Sequence, residues 1–414
     1  MVLEISQYVS VREAVTHALS ELNQPVAETI PTRESCGRIA AEDVKCDADL
    51  PPHSTSHMDG FAIRAEDTRG AARERPARLT LVDSIPLGAQ PSHHLGIGEA
   101  ARVATGSFLP AGADSVVPVE DGQAGSGVLL VPHEVSPRAF VFGAGEDVRK
   151  GKVVLRKGEA IRPQDLGMLV ALGVAEVKVW KRPRIALLAT GSELTNSATP
   201  EANKVRNSHA PVFLAMAAAL GCDAIDLGIA PDKVGVILSR VKQALRKSDI
   251  VLTTGGTSVG RMDLADQVMA KTKPKVLYHG IKMDRGRVAG VGVAGGKGIV
   301  LMPGPIQGAL NAFFLLGLPM VGKLSGRQSS GMTINASLTR RWEARKKFPH
   351  FTKVVYLRVF QSRGKTAAEP LAAETESMSL LTDSNAYMVV PEDVTSLEAG
   401  REVQAHLIPG VYPG

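Results

Sequence analysis

The apolar run Asp249-Ile250-Val251-Leu252-Thr253 opens directly into Thr254-Gly255-Gly256-Thr257-Ser258-Val259-Gly260-Arg261-Met262-Asp263. A short β-branched run ended by two glycines and two hydroxyls reads as a buried strand opening into a binding loop. Glycines let backbone N–H groups approach phosphate or oxyanion oxygens, and Asp263, at the start of the next helical pattern, is placed to ligate a metal bridging them. The same arrangement occurs upstream, where Ile185-Ala186-Leu187-Leu188-Ala189 leads into Thr190-Gly191-Ser192-Glu193-Leu194. Two such turns imply a phosphate-and-metal site at the carboxyl edge of an open α/β sheet. Strand-like segments at 184–189, 224–229, 249–253 and 298–302 alternate with helical ones at 205–220, 233–247, 263–271 and 308–316, which predicts βαβ units and a parallel sheet.

At 414 residues two to four domains are expected. Aromatic residues make up only 4%, too few for stacking platforms on single-stranded nucleic acid. The net charge of +6 is scattered. Its densest cluster, Arg340-Arg341-Trp342-Glu343-Ala344-Arg345-Lys346-Lys347, reads as a solvated or interdomain segment rather than a nucleic-acid patch, and a modest positive field suits a small polyanion. Cys36, Cys46 and Cys222 make neither a metal cluster nor a disulfide framework. No secretory signal is evident. The longest apolar run, Ala309 to Val321, is broken by Asn311, Gly317 and Pro319 and is too short for a bilayer span. A soluble cytoplasmic protein without membrane or nucleic-acid partners is expected.

Around the α/β segment lie others. A helix is expected from residue 1 to about 26, with Val11, Ala14, Val15, Ala18, Leu19 and Leu22 on one face and Pro25 as its stop. Residues 47–142, rich in glycine, proline and short runs such as Leu79-Thr80-Leu81-Val82, fit a small β domain. Residues 143–182 hold turn-rich strands and a helix over 163–172. After Gly326 the chain becomes strand-like again at 332–334, 354–357 and 386–390.

Ser56-His57-Met58-Asp59-Gly60-Phe61-Ala62 resembles the SxMDGYA motif of the molybdopterin molybdenumtransferases, the MoeA and gephyrin E-domain family. Thr105-Gly106 through Leu109-Pro110-Ala111-Gly112-Ala113-Asp114-Ser115-Val116-Val117 resembles its TGxxLPxGADxVV run. Gly145-Glu146-Asp147 to Gly151 and Asp165-Leu166-Gly167 to Gly173 match its linker, and Thr190 to Leu194 and Gly255 to Gly260 match its third domain. The resemblance covers the whole chain in order. It implies a multidomain α/β plus β fold: a linker region (1–46 and 143–182), an inserted N-terminal β domain (47–142), a MogA/MoaB-like open α/β sheet domain that binds molybdopterin (183–325), and a small C-terminal β domain (326–414). It implies an enzyme of molybdenum cofactor biosynthesis whose substrates are adenylylated molybdopterin and molybdate. With Mg²⁺ it would release AMP and leave the metal on the dithiolene. It also implies a homodimer whose cleft joins the α/β domain of one subunit to the β domain of the other, and contact with other proteins of the pathway.

Carried over residue by residue, Asp59, Thr105, Asp147 and Asp232 fall at catalytic positions. Glu193 and Asp263 fall at metal positions. Thr190, Gly191, Ser192, Gly255, Gly256, Thr257, Ser258, Arg285, Gly286, Arg287 and Gly304 fall at substrate-binding positions. Carboxylates around a divalent metal suit the neutralisation of a phosphoanhydride before a nucleophile attacks. Each residue also has a plainer reading. Asp263 and Asp232 suit helix N-caps, Asp59 before Gly60 suits a turn, Glu193 suits a helix N-terminus, and Asp147 suits a solvated loop. His53, His57, His93 and His94 read as surface groups.

Two loops depart from the family pattern. Where it has KPGKP the chain reads Asp284-Arg285-Gly286-Arg287-Val288, and where it has LPGNPxSA the chain reads Met302-Pro303-Gly304-Pro305-Ile306-Gln307-Gly308-Ala309. Ser192 replaces an acidic residue common in the TGDEL form. Exchanging Lys for Asp at an anion site changes the charge by two units, each worth about 2–3 kcal/mol at roughly 6 Å and an effective dielectric near 20. Arg285 or Arg287 would have to restore it. Two readings follow: an active insertase, and a catalytically degenerate paralogue that binds molybdopterin or scaffolds the pathway.

Overall fold

A computed structural model describes residues 8–199, 202–256, 264–327, 331–345, 347–362, 364–372 and 377–411. Thr257, Ser258 and Asp263 lie outside the described residues.

The strand Arg184–Thr190 is buried from Ile185 onward. Its side chains alternate between two cores: Ile185 and Leu187 face one that holds Phe213, Leu310 and Phe313, while Leu188 faces one that holds Ile237, Val241 and Val268. A strand covered on both faces has to be apolar at every position, which is why this run is continuous rather than alternating. The sheet runs Asp223–Ala230, Arg184–Thr190, Ile250–Thr254, Lys297–Met302, Gly290–Ala294, Val276–His279 in space. The first four strands are parallel, and Gly290–Ala294 runs antiparallel to both its neighbours, Lys297–Met302 and Val276–His279. The expected parallel sheet is present in these four strands, and one antiparallel strand makes the whole sheet mixed. The missed strand Gly290-Val291-Gly292-Val293-Ala294 is buried along its whole length, so it shows no polar alternation to read.

The helix expected over 205–220 begins at His209, because Val205–Arg206 instead pairs with Leu194–Thr195. The helix expected over 308–316 runs from Ile306 to Ser325, through a π-helical turn at Phe313–Gly317 and past Pro319. A wider turn accommodates the missing N–H and the ring of proline. This helix is long and apolar enough to cross a membrane, but 89% of that window is buried inside the protein. A helix apolar all round is a core element.

The N-terminal helix is shorter than expected, Val11–Glu21, with the Ser10 side chain accepting from Glu13 N–H at 3.1 Å. Ala14, Ala18 and Leu22 pack into the α/β core. The chain then leaves for the linker, where Ala27–Pro31 pairs with Glu176–Trp180 and Val44–Lys45 with Val153–Leu155. Ala40 joins Leu155, Ile161, Leu169, Val177 and Val179 in one core, so segments from before and after the β domain close on each other. The β domain is a six-stranded sheet in which Gly60–Ile63 lies between Ser115–Pro118 and Glu99–Val103. Five strands between Thr333 and Leu407 close into a barrel.

Candidate active site

Two strands of the sheet end side by side at Thr190 and Thr254, both buried. The Thr190 hydroxyl donates to the Thr254 carbonyl at 2.9 Å. Gly255 follows at φ +83°, and a Cβ there would lie 2.4 Å from the Thr190 carbonyl oxygen. Only glycine lets the two strand ends approach this closely. Past them opens a cavity of about 330 Å³ lined by Thr190, Glu193, His209, Thr254, Gly255 and Gly304, among others. Three loops thus converge at the carboxyl edge of the sheet, where such folds bind ligands.

The backbone of these loops is largely committed within the protein. Gly191 N–H donates to Ala230, Ser192 N–H to the Asp232 carboxylate at 3.0 Å, and Gly255 N–H to Met302. These N–H groups of Gly191, Ser192 and Gly255 are therefore not offered to a phosphate, and of the three residues Gly255 lines the cavity. Asp232 N–H returns a bond to the Ser192 hydroxyl at 3.2 Å. This reciprocal pair fastens together the loops that follow two neighbouring strands. The adjacent helix Val234–Lys247 begins after Lys233, so the capping reading of Asp232 gives way to that pair.

Glu193 is exposed at the cavity mouth, and its carboxylate folds over Gly191, where a Cβ would meet Oε1 at 2.5 Å. It is followed by a short strand, Leu194–Thr195, rather than by a helix N-terminus. Among the described residues no three His, Cys, Asp or Glu side chains converge as a metal cluster. One hard carboxylate beside a ligand-sized cavity still fits Mg²⁺, which one or two carboxylates plus substrate phosphates commonly hold.

Asp59 and Thr105 meet in the β domain. Thr105 N–H and its hydroxyl both donate to Asp59 Oδ1, at 2.7 and 2.9 Å. The backbone bond first and the hydroxyl second hold the Asp59 carboxyl below its ordinary value, because both bonds favour the anion. A group of this kind keeps its contact above that ordinary value of 3.8 and loses it as pH falls through the lowered one. The Thr105 amide resonance is therefore expected to titrate with a midpoint below 3.8. A midpoint at or above it would contradict the contact. Asp147 is exposed, with its N–H on the Leu50 carbonyl at 3.2 Å. Asp59, Thr105 and Asp147 do not line the cavity; its lining residues come from 190–209, 254–255, 304–306 and Met378.

The two departing loops pack as one unit. Arg285, at φ +52°, donates to Gln307 Oε1 at 2.8 Å. Asn311 Nδ2 holds the carbonyls of Asp284 and Arg285, at 3.2 and 2.8 Å. A Cβ on Gly286 would lie 3.2 Å from the Gly308 carbonyl, and one on Gly308 would lie 3.6 Å from Gly286 Cα. The tighter position is Gly286, at φ +146°, where a Cβ would also meet Met283 Sδ at 2.8 Å. Asp284 is paired with Arg345, and the Arg287 guanidinium lies 4.9 Å from the centre of the Phe348 ring. The basic cluster 340–347 is thus interdomain at Arg345, in line with the plainer reading.

Sequence reasoning passed over His209. It opens the helix His209–Ala219, packs edge-on to Phe213 and lines the cavity. Burial holds its imidazole below the ordinary value, so it is neutral at pH 7 and offers one donor and one acceptor. Pro211 in the first turn is the signal that could have located that helix start.

Family models match in chain order: the MoeA N-terminal region (domain I and II) over residues 9–173, a "probable molybdopterin binding domain" over 186–323, and the MoeA C-terminal region (domain IV) over 335–408. The molybdopterin molybdenumtransferase of Bacillus subtilis (strain 168) is 32% identical over 413 residues, 98% of this chain and 95% of the relative. That of Staphylococcus aureus (strain Mu50) is 30% identical over 405 residues, 97% of this chain and 96% of the relative. The crystal structure of the molybdopterin biosynthesis MoeA protein from Pyrococcus horikosii superposes with a TM-score of 0.85 at 29% identity, covering 98% of this chain and all of that one. The chain belongs to the molybdopterin molybdenumtransferase family of molybdenum cofactor biosynthesis.

Proposed function

We propose that the protein inserts molybdate into adenylylated molybdopterin in a Mg²⁺-dependent reaction that releases AMP. The observation that carries this reading is the Thr190–Thr254 junction, which opens onto a cavity of about 330 Å³ with Glu193 at its mouth. That size suits a small ligand. Glu193, together with Asp263, would hold Mg²⁺. Bound there, the ion would neutralise the phosphoanhydride charge without proton transfer. Gly255 and Gly304 keep their stretches of the cavity wall free of side chains, and neutral His209 would orient a polar group of the pterin. The Ser192–Asp232 pair would hold the Glu193 loop in place.

The reading includes a homodimer, because Asp59, Thr105 and Asp147 do not line the cavity of their own chain. A second copy would bring its β domain to the cleft. Leu87 and Ile97, exposed by 68% and 81% on that domain, supply apolar surface for such a contact. Sedimentation at micromolar concentration is expected to give twice the chain mass, and a monomer would remove the shared cleft from this reading.

Reconstitution tests the function. Protein, adenylylated molybdopterin, molybdate and Mg²⁺ should yield a cofactor that activates a molybdenum-free apoenzyme. Pterin binding without activation would favour the degenerate paralogue.

A further inference from the structure

A second cavity, about 310 Å³, lies between the Asp284–Arg287 loop and the C-terminal barrel. Its wall carries five cations, Arg285, Arg340, Arg341, Arg345 and Lys353, against two carboxylates, Asp284 and Glu343, a net charge of +3. Several of the cations are engaged locally. Arg341 pairs with Glu343 and Glu398, Arg340 donates to the Pro370 carbonyl, and Lys353 donates to the carbonyls of Pro349 and Val394. Asp284 is different, because it reaches from the α/β domain to Arg345 in the C-terminal domain. Its two oxygens take Nε, at 3.1 Å, and Nη2 of Arg345. This fork on a carboxylate edge is the contact that a guanidinium also makes with an edge of a tetrahedral oxyanion.

We propose that Arg345 is the oxyanion-binding cation of this protein, and that Asp284 is a built-in competitor which an incoming tetrahedral dianion displaces from it. The inference rests on the molybdate-using reading above. The exchange is favourable in sign, since a dianion replaces a monoanion in a wall of net positive charge. It needs only the Asp284 side chain to turn away. The backbone there is fixed, with Asp284 N–H on the Thr352 carbonyl at 2.8 Å and the Asp284 carbonyl held by Asn311. A tethered competitor weakens every anion by the same factor, because the Asp284–Arg345 pair must be broken whichever anion enters. Asp284 would thus set the affinity of the site.

Calorimetric titration of the full-length protein with sodium molybdate tests this. Asp284→Asn should tighten molybdate by about tenfold, the factor that 1.4 kcal/mol represents. Arg345→Gln should weaken it by about tenfold or more. The double variant should bind as Arg345→Gln does. A purely structural ion pair would lower thermal stability in both single variants and tighten binding in neither. Unchanged or weaker binding in Asp284→Asn, or no binding in any variant, overturns the proposal. Molybdate-dependent AMP release with affinities blind to both residues would overturn it while leaving the proposed function standing. The expected affinity pattern without AMP release would do the reverse.

Discussion

Gly255→Ala is expected to destabilise the α/β domain by about 3 kcal/mol, through two separable costs. At φ +83° a side chain occupies the left-handed region, which costs about 1–2 kcal/mol. The added Cβ would also sit 2.4 Å from the Thr190 carbonyl oxygen, so the strand ends must part, at a further 1–3 kcal/mol or so. Separation strains the 2.9 Å bond from Thr190 to Thr254 and distorts the cavity wall. Calorimetry should show the α/β transition lowered by about 10 °C. Gly304→Ala is the control. Nothing lies within 4 Å of its Cβ position, and less than about 1 kcal/mol should be lost. Equal losses in the two variants would contradict the account of the junction.

Glu193→Ala should leave stability unchanged and lower Mg²⁺-dependent turnover by about 10²-fold or more. The side chain is exposed and folds over Gly191, so its removal opens no core. What disappears is the cavity-lining carboxylate among the described residues. Asp263→Ala is expected to act in the same direction. Turnover with an unaltered Mg²⁺ dependence in both variants would remove the metal from these positions.

The parallel strands Arg184–Thr190, Ile250–Thr254 and Lys297–Met302 were legible because burial on both faces makes them nearly continuous apolar runs, and paired glycines mark the end of Ile250–Thr254. The hairpin partner Gly290–Ala294 escaped for the converse reason, since Gly and Val alternate without any polar position. The long buried helix escaped because Pro319 and Gly317 ordinarily end helices, and a π-helical turn overrides that rule here. The Asp59–Thr105 contact spans 46 positions, but the family motif named both residues. Ser192–Asp232 and Asp284–Arg345 span 40 and 61 positions. Pairings at such distance depend on how the loops and the barrel dock, which no local pattern encodes. Thus Asp284 read as a repulsive charge in the sequence, and the structure shows it paired with a cation from another domain.

AMP release from adenylylated molybdopterin, followed with and without molybdate at fixed Mg²⁺, tests the central claim most directly. The account predicts release that requires both the oxyanion and the metal, and that falls with Glu193→Ala. Release independent of molybdate, or none under any condition from a folded protein, would contradict it.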